Sequence, residues 1–259
     1  MPGGRERLRH VEHSMGTVFS FDVRIADRSA SPRVRAGLAA AVAGLHRVDE
    51  TFSTYRPDSR LSRLARGELS LGDCVTEVAE VLDLCADAER ESKGWFTARY
   101  AGELDPTGLV KGWAVECAVR MLASSGADSV CLNGGGDVQL YGGPWRVGVS
   151  DPLRPGGLLT VIEADESLAV ATSGPAERGC HILDPHTRRP PADAMASMTV
   201  VCPGLTQADA RATAAYAMGG QNARDWLEEL PDTEGFAVNA DGSTWRTSGF
   251  ARHTAKLAA

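Results

Sequence analysis

Leu104-Asp105-Pro106-Thr107-Gly108-Leu109-Val110-Lys111-Gly112-Trp113 and the later Ala208-Asp209-Ala210-Arg211-Ala212-Thr213-Ala214 each place oxygen-bearing groups at the start of a helical pattern. Asp209 and Thr213 are spaced so that a helix puts both oxygens on one face, within reach of one ion. Hard oxygen donors are what magnesium takes, usually one or two carboxylates together with waters and substrate phosphates. In the first stretch Lys111 offers a mobile cation for phosphate, Asp105 an acceptor toward a base or ribose, and Gly108 a carbonyl that a metal can approach. Bland readings stand beside these. Asp105-Pro106 is a turn with Thr107 capping the helix, and Asp209 with Thr206 caps the second helix. A lysine early in a helix, against the dipole, is the feature the bland reading leaves over.

The 259 residues supply ample apolar content for a core, and we read them as one catalytic unit. With 27 basic against 34 acidic side chains the net charge is −7, which argues against a duplex-binding surface and a nucleic-acid partner. Cys74, Cys85, Cys117, Cys131, Cys180 and Cys202 show no CxxC spacing and read as buried free thiols in a reducing compartment. The polar stretch of residues 1–10 lacks a signal-type apolar run, and no window approaches a membrane span. The expectation is a cytoplasmic protein without membrane contact.

Alternation in Val18-Phe19-Ser20-Phe21-Asp22-Val23-Arg24-Ile25 predicts a strand, followed by an Ala-rich helix from Pro32 to about Phe52 capped by Ser31. A second helix runs through 77–86 and ends near Gly94; a third follows Lys111-Gly112 to about Ser125. Residues 129–171 alternate short β-rich runs with turn signals, among them Asn133-Gly134-Gly135-Gly136-Asp137. Those glycines serve either a tight hairpin or a backbone approach to phosphate, and the two readings weigh evenly. A strand at 198–202, a helix at 207–218 and a hairpin around Asp241-Gly242 close the chain. No G-x-G-x-x-G or P-loop pattern occurs.

The order of these segments resembles the ApbE family, the FAD:protein FMN transferases, over residues 15–219. The carriers are Met15-Gly16-Thr17, Phe52-Ser53-Thr54-Tyr55 with Ser59-Arg60-Leu61, Asp105 to Gly112, Asn133 to Asp137, Ala171-Thr172-Ser173-Gly174, His181-Ile182-Leu183-Asp184-Pro185 and Ala208 to Ala214. Each motif alone is weak; their joint order is specific. The resemblance implies an α+β fold of the ApbE-like, T-fold-related type, with helices packed on mostly antiparallel sheets. It implies a single domain over 1–259, its two lobes flanking a groove.

The activity implied is magnesium-dependent transfer of the FMN moiety of FAD to a Thr or Ser hydroxyl of an acceptor flavoprotein, releasing AMP. Hydrolysis of FAD to FMN and AMP, or flavin-nucleotide binding without turnover, are the alternatives. By the same resemblance Met15, Tyr55, Trp95, Phe96, Thr97, Asp105, Lys111, His181 and Ile182 contact FAD. Gly108, Asp209, Ala212 and Thr213 hold magnesium, His181 is the general base, and Asp209 is counted catalytic with it. From the residues alone, His181 is most simply a structural histidine, Tyr55 a core aromatic, and the hydroxyls of the 171–174 loop face either phosphate or backbone. The chain departs from the family pattern at Thr97, where an Asp is common, and in the shortened 98–104 segment, which leaves the flavin or adenine pocket rebuilt or reduced. It departs again at Arg188, where a glycine is usual; Arg188 or Arg189 is then available to phosphate. Asp241-Gly242-Ser243-Thr244-Trp245-Arg246 resembles the acceptor motif but ends in Arg246, so the acceptor is expected in another chain.

Overall fold

The computed structural model describes residues 6–100, 103–175, 182–191 and 195–255. Strands β1 (Glu6–Ser14) and β2 (Thr17–Ile25) pair across Met15 and Gly16, both at positive φ (49° and 67°), the turn geometry that suits the twist of a hairpin. The predicted alternation is real: Phe19, Phe21, Val23 and Ile25 are buried while the intervening residues are less so. β2 then pairs with β5 (Ser129–Gly134), which turns tightly into β6 (Asp137–Tyr141). Gly135 and Gly136 take that turn at φ 59° and 92°, a conformation open to glycine without steric cost.

The sheet continues through β9 (Leu168–Ser173), β10 (Met195–Cys202), β11 (Glu234–Asn239) and β12 (Thr244–Arg246), in the order β1-β2-β5-β6-β9-β10-β11-β12. All of its neighbours are antiparallel. Between β2 and β5 run α1 (Ser31–Phe52), α2 (Arg60–Ala65), α3 (Thr76–Glu91), the short pair β3 (Arg99–Tyr100) and β4 (Glu103–Leu104), and α4 (Thr107–Ser124). A hairpin of β7 (Trp145–Ser150) and β8 (Leu158–Ala164) joins β6 to β9, and α5 (Leu205–Met218) with α6 (Gly220–Glu229) joins β10 to β11.

Both faces of the central strands are covered, which explains why all eight residues of β10 are buried. Met198, Val200 and Cys202 join the helical core, whereas Val201 turns to the other face with Val149, Ile162, Val170 and Phe250. α4 is the inner helix: Leu109, Val115, Val119 and Leu122 sink into the core against β-sheet residues such as Val130 and Leu132. Full burial of each such side chain contributes about 1.5–3 kcal/mol. No helix among the described residues is long and apolar enough to cross a membrane.

Several local expectations need correction. α1 starts at Ser31 itself, with Ala30 before it and no side-chain cap; the Ser31 hydroxyl donates to Glu6 Oε1 at 3.0 Å. α4 starts at Thr107 rather than after Lys111-Gly112, because Pro106 is set for a helix entry and Asp105 Oδ1 accepts the Thr107 N–H at 3.0 Å. Thr107 therefore does not cap. α5 is capped from outside: Glu116 Oε2 accepts the Thr206 N–H (2.9 Å) and hydroxyl (2.6 Å), and Gln139 Oε1 accepts the Leu205 N–H (2.8 Å). With its first donors satisfied by α4 and β6, this helix needs neither Thr206 nor Asp209 as a cap. Residues 168–173 are a strand, where a loop was expected at 171–174.

α4 and α5 cross at Gly112, where a β-carbon would stand 2.6 Å from the Leu205 carbonyl oxygen and 2.9 Å from Asp209 Cβ. Gly112→Ala is expected to destabilise the fold by about 1–3 kcal/mol in urea unfolding. Gly44→Ala, in α1 with only the Arg47 side chain near its new methyl, should stabilise by about 0.5–1 kcal/mol. Burial drives the Cys85 thiol up to about 12, with Glu89 and Asp105 adding to the effect, and burial drives Cys131 and Cys202 up to about 11. Iodoacetamide near pH 8 should therefore spare Cys85 and Cys202 in the folded protein and label both after denaturation, read by peptide mass spectrometry.

Candidate functional site

The Asp105-Pro106 turn is fastened on two sides, by the Asp105 N–H to the Ala98 carbonyl (2.8 Å) and by its side chain to Thr107. That aims the first turn of α4 into a cleft of about 890 Å³. Gly108 lies over Phe96, with Thr213 Oγ1 3.9 Å from where its β-carbon would be. One turn on, the Lys111 ammonium forms an ion pair with Asp137 Oδ2 and lies 3.7 Å from Asp209 Oδ2. The same Asp209 oxygen accepts the Gly112 N–H at 3.0 Å.

Asp137 is 2% exposed and spends its other oxygen on the Thr172 N–H at 2.8 Å. Lys111 is thus pinned between two acids and is not the mobile cation read from the sequence. Thr213 reaches toward the Ser173 hydroxyl at 3.4 Å, while Thr172, which also lines the cleft, shares a hydrogen bond through its Oγ1 with Thr199 (2.9 Å). Behind the site, Arg211 is 5% exposed. It makes two bonds to the Glu91 carboxylate (2.9 and 2.7 Å) and one to Thr233 Oγ1 (2.8 Å). α5 therefore sends Asp209 and Thr213 to the cleft and Arg211 to α3.

Main-chain and side-chain oxygens, one ammonium and a cleft roomy enough for a nucleotide meet at this point. The sequence profile of the ApbE family matches residues 15–102 and 97–237, most of the chain. The chain belongs to the ApbE family. A protein named FAD:protein FMN transferase from Rhodobacter capsulatus is 33% identical over 159 residues, 57% of this chain and 30% of that protein. One of the same name from Treponema pallidum is 27% identical over 160 residues, 54% of this chain and 44% of that protein. The chain thus spans less than half the length of these curated relatives. Among solved structures, the flavin transferase ApbE from Vibrio cholerae superposes with a TM-score of 0.78 at 20% identity, covering 96% of this chain and all of that one. The ApbE protein from Thermotoga maritima gives 0.82 at 21% identity, over 97% and 100%. The α+β architecture with a mostly antiparallel sheet is the ApbE fold.

Of the FAD contacts implied by the ApbE motifs, Met15, Tyr55, Phe96, Thr97, Asp105 and Ile182 line the cleft, as does Lys111. Tyr55 is 96% exposed at its mouth, so it is not core packing. Trp95 does not line the cleft; its ring meets His186 edge-on at 4.7 Å. Of the metal candidates, Gly108, Asp209 and Thr213 line the cleft, whereas Ala212 is fully buried within α5. His181 lies outside the described residues. Arg188 and Arg189 are exposed and away from the cleft lining. Arg188 adopts φ 58°, the left-handed conformation that explains why the family pattern favours glycine there. The 182–191 loop is held by its own bonds, Asp184 accepting from the N–H groups of His186 and Thr187.

Sequence reasoning missed Asp137 as the partner of Lys111, having read it only as the end of a glycine turn. The signal was available: an acid among Val138, Gln139 and Leu140 in a buried strand requires a partner. It also missed Glu116, Gln139 and the Arg211–Glu91 pair, whose roles depend on contacts distant in sequence.

Asp137→Ala is expected to cost about 3 kcal/mol, because it removes the nearer counter-charge of a largely buried ammonium, leaving only Asp209 at 3.7 Å, and takes the acceptor from the Thr172 N–H. The double variant Lys111→Met/Asp137→Leu should recover most of that loss in urea unfolding, exposing the coupling between the two charges.

Proposed function

We propose that this protein transfers the FMN moiety of FAD to a Thr or Ser hydroxyl of an acceptor protein, releasing AMP, with magnesium as its metal. The observation that carries the reading is the meeting of Lys111, Asp209 and Thr213 in one cleft, with buried Asp137 paired to Lys111 behind it, in a chain of the ApbE family. The acceptor oxygen bonds to the FMN phosphorus and stays there, the bond from that phosphorus to the bridging oxygen of the pyrophosphate breaks, and AMP leaves carrying the bridging oxygen. The hydroxyl proton passes to a base, and by family resemblance that base is His181.

The donors fit magnesium. Two carboxylates against one ammonium leave the cluster formally anionic, and a divalent cation reverses that sign toward a pyrophosphate. Among the described residues no group of three or more His, Cys, Asp or Glu could hold a metal alone, so main-chain oxygens and substrate phosphates would have to complete the shell. Asp209, Thr213 and the carbonyl of Gly108 would hold the ion, while Ala212, a ligand by family resemblance alone, lies buried within α5 away from the cleft lining. The Gly112 N–H supports that role for Gly108, since its bond to Asp209 competes with the helical bond to the Gly108 carbonyl. When bound, magnesium neutralises charge developing on the phosphate oxygens and aligns the displacement.

Lys111 adds positive charge on the α4 side and holds Asp137 and Asp209 in place. Met15, Asp105 and Ile182 supply wall contacts for the nucleotide, and the exposed Tyr55 ring offers a stacking face.

The test is incubation of the purified protein with FAD and magnesium, with and without an acceptor carrying Asp-Gly-Ala-Thr-Ala-Thr, followed by mass spectrometry and nucleotide chromatography. We expect metal-dependent AMP release with FMN on the acceptor threonine, lowered roughly 100-fold or more in Asp209→Ala. Free FMN plus AMP, with or without acceptor, would replace transfer by hydrolysis. FAD binding without either product, indifferent to Asp209→Ala, would overturn the catalytic reading.

A further inference from the structure

The β7–β8 hairpin has two edges, and the chain treats them differently. The outer edge of β8 is covered: Ile162 bridges Thr254, and the Ala255 N–H donates to the Val161 carbonyl at 2.9 Å. The other edge belongs to β7, which among the described residues pairs only with β8. Four consecutive residues of it, Val147, Gly148, Val149 and Ser150, line the cleft that contains Lys111 and Asp209. Side chains of a strand alternate between faces, so a run of successive residues along a cavity wall presents the backbone edge itself. Every second residue of β7 accordingly turns its N–H and C=O away from β8.

The other free edges are not comparable. β1 carries Arg7, Arg9, His10, Glu12 and His13, the charged dress that discourages strand addition, β12 is only three residues long, and β3 and β4 are two residues each. In β7 the one charged residue, Arg146, pairs with Glu163 of β8 at 3.1 Å, and the 147–150 run has no charge. An apolar rim continues it outward. Leu158 is 64% exposed and lies over Gly148, its Cδ2 2.8 Å from where a β-carbon on that glycine would stand. Leu153, 47% exposed, follows Pro152, another residue of the cleft wall.

We propose that the free edge of β7 is the docking strand for the acceptor protein. An extended acceptor segment adds to β7 as a third strand, its main chain bonded to the edge and its flank resting on Leu153 and Leu158, so that its hydroxyl residue enters the cleft. The identity of the partner rests on the transfer reading above. The mode of recognition rests on the edge: main-chain donors and acceptors in a row recognise another extended main chain, and side-chain pockets add only selectivity. An enzyme that modifies a hydroxyl within another protein must bring that backbone to its own site, and this edge is where the cleft offers backbone partners.

The test uses the full-length protein and a fluorescein-labelled peptide carrying Asp-Gly-Ala-Thr-Ala-Thr, together with versions N-methylated at one backbone position at a time. Peptide binding is read by anisotropy with and without FAD, transfer by mass spectrometry, and FAD affinity separately by flavin fluorescence. Strand addition predicts a period of two: methylation at alternate positions weakens binding about tenfold, and the positions between are tolerated. Leu158→Glu, a surface change, should weaken peptide binding and leave FAD affinity as it was. Uniform tolerance of methylation, absence of peptide binding, or a Leu158→Glu effect on FAD equal to that on peptide would overturn the inference. Periodic binding without transfer would keep the docking edge and remove the transfer reading. Transfer without periodicity would do the reverse.

Discussion

The close crossing of α4 and α5 at Gly112 is the constraint on which the site depends. With no side chain there, the Leu205 carbonyl and the Asp209 side chain come against the backbone of α4, and the Gly112 N–H becomes a donor to Asp209. That contact sets the height of α5 relative to α4, and hence which residues of α5 stand opposite Gly108 and Lys111. The caps on α5 reinforce it, because Glu116 reaches across from α4 and Gln139 from β6. Helix donors normally satisfied locally are here satisfied by neighbours. The start of α5 is therefore fixed by tertiary structure as firmly as by its own sequence.

A second constraint is the sheet with both faces covered. Helices take one face and the β7–β8 hairpin part of the other, so neighbouring residues such as Val200 and Val201 belong to different cores. The cleft opens where these layers end: the first turn of α4, the β5–β6 turn, the edge of β7 and the end of β9 all border it. Strand ends and turns carry the site, while strand interiors carry the packing that holds it rigid.

Much of this was legible in the sequence. Period-two alternation in 18–25 gave a strand because the signal is local, whereas the glycines at 134–136 left a hairpin and a phosphate approach evenly weighed, and the structure shows the hairpin turn with Gly135 and Gly136 also on the cleft wall. Asp209 and Thr213 fell on one helix face because their spacing is a helical one. The charge cluster was half visible: Lys111 stood out as a cation placed against a helix dipole, but its partner Asp137 lies on another element, and only pairing β5 to β6 beneath α4 brings them together. From the residues alone Asp209 read first as a cap, and only the family pattern favoured a metal ligand, since the acceptors that make a cap unnecessary come from Glu116 and Gln139. Trp95 read as a flavin contact by family resemblance alone, and its ring meets His186, contributed by a loop far along the chain.

The short motif Asp209-Ala210-Arg211-Ala212-Thr213 shows how few residues are needed for two purposes. Its alanines are almost fully buried, Ala212 at 0% and Ala210 at 3%, which lets α5 lie deep against β9 and β10. A helix that deep would have no room for a long polar side chain unless one face met a matching group. Arg211 meets Glu91 and Thr233, a two-pronged bond that fixes rotation about the helix axis as well as charge. Because the rotation is fixed from behind, Asp209 and Thr213 are presented to the cleft without contacts of their own having to orient the helix. A replacement at Arg211 that preserved charge but not the fork, such as lysine, would leave the charge balanced while loosening that rotation. The buried arginine is thus a positioning residue, acting on the cleft through the helix it anchors.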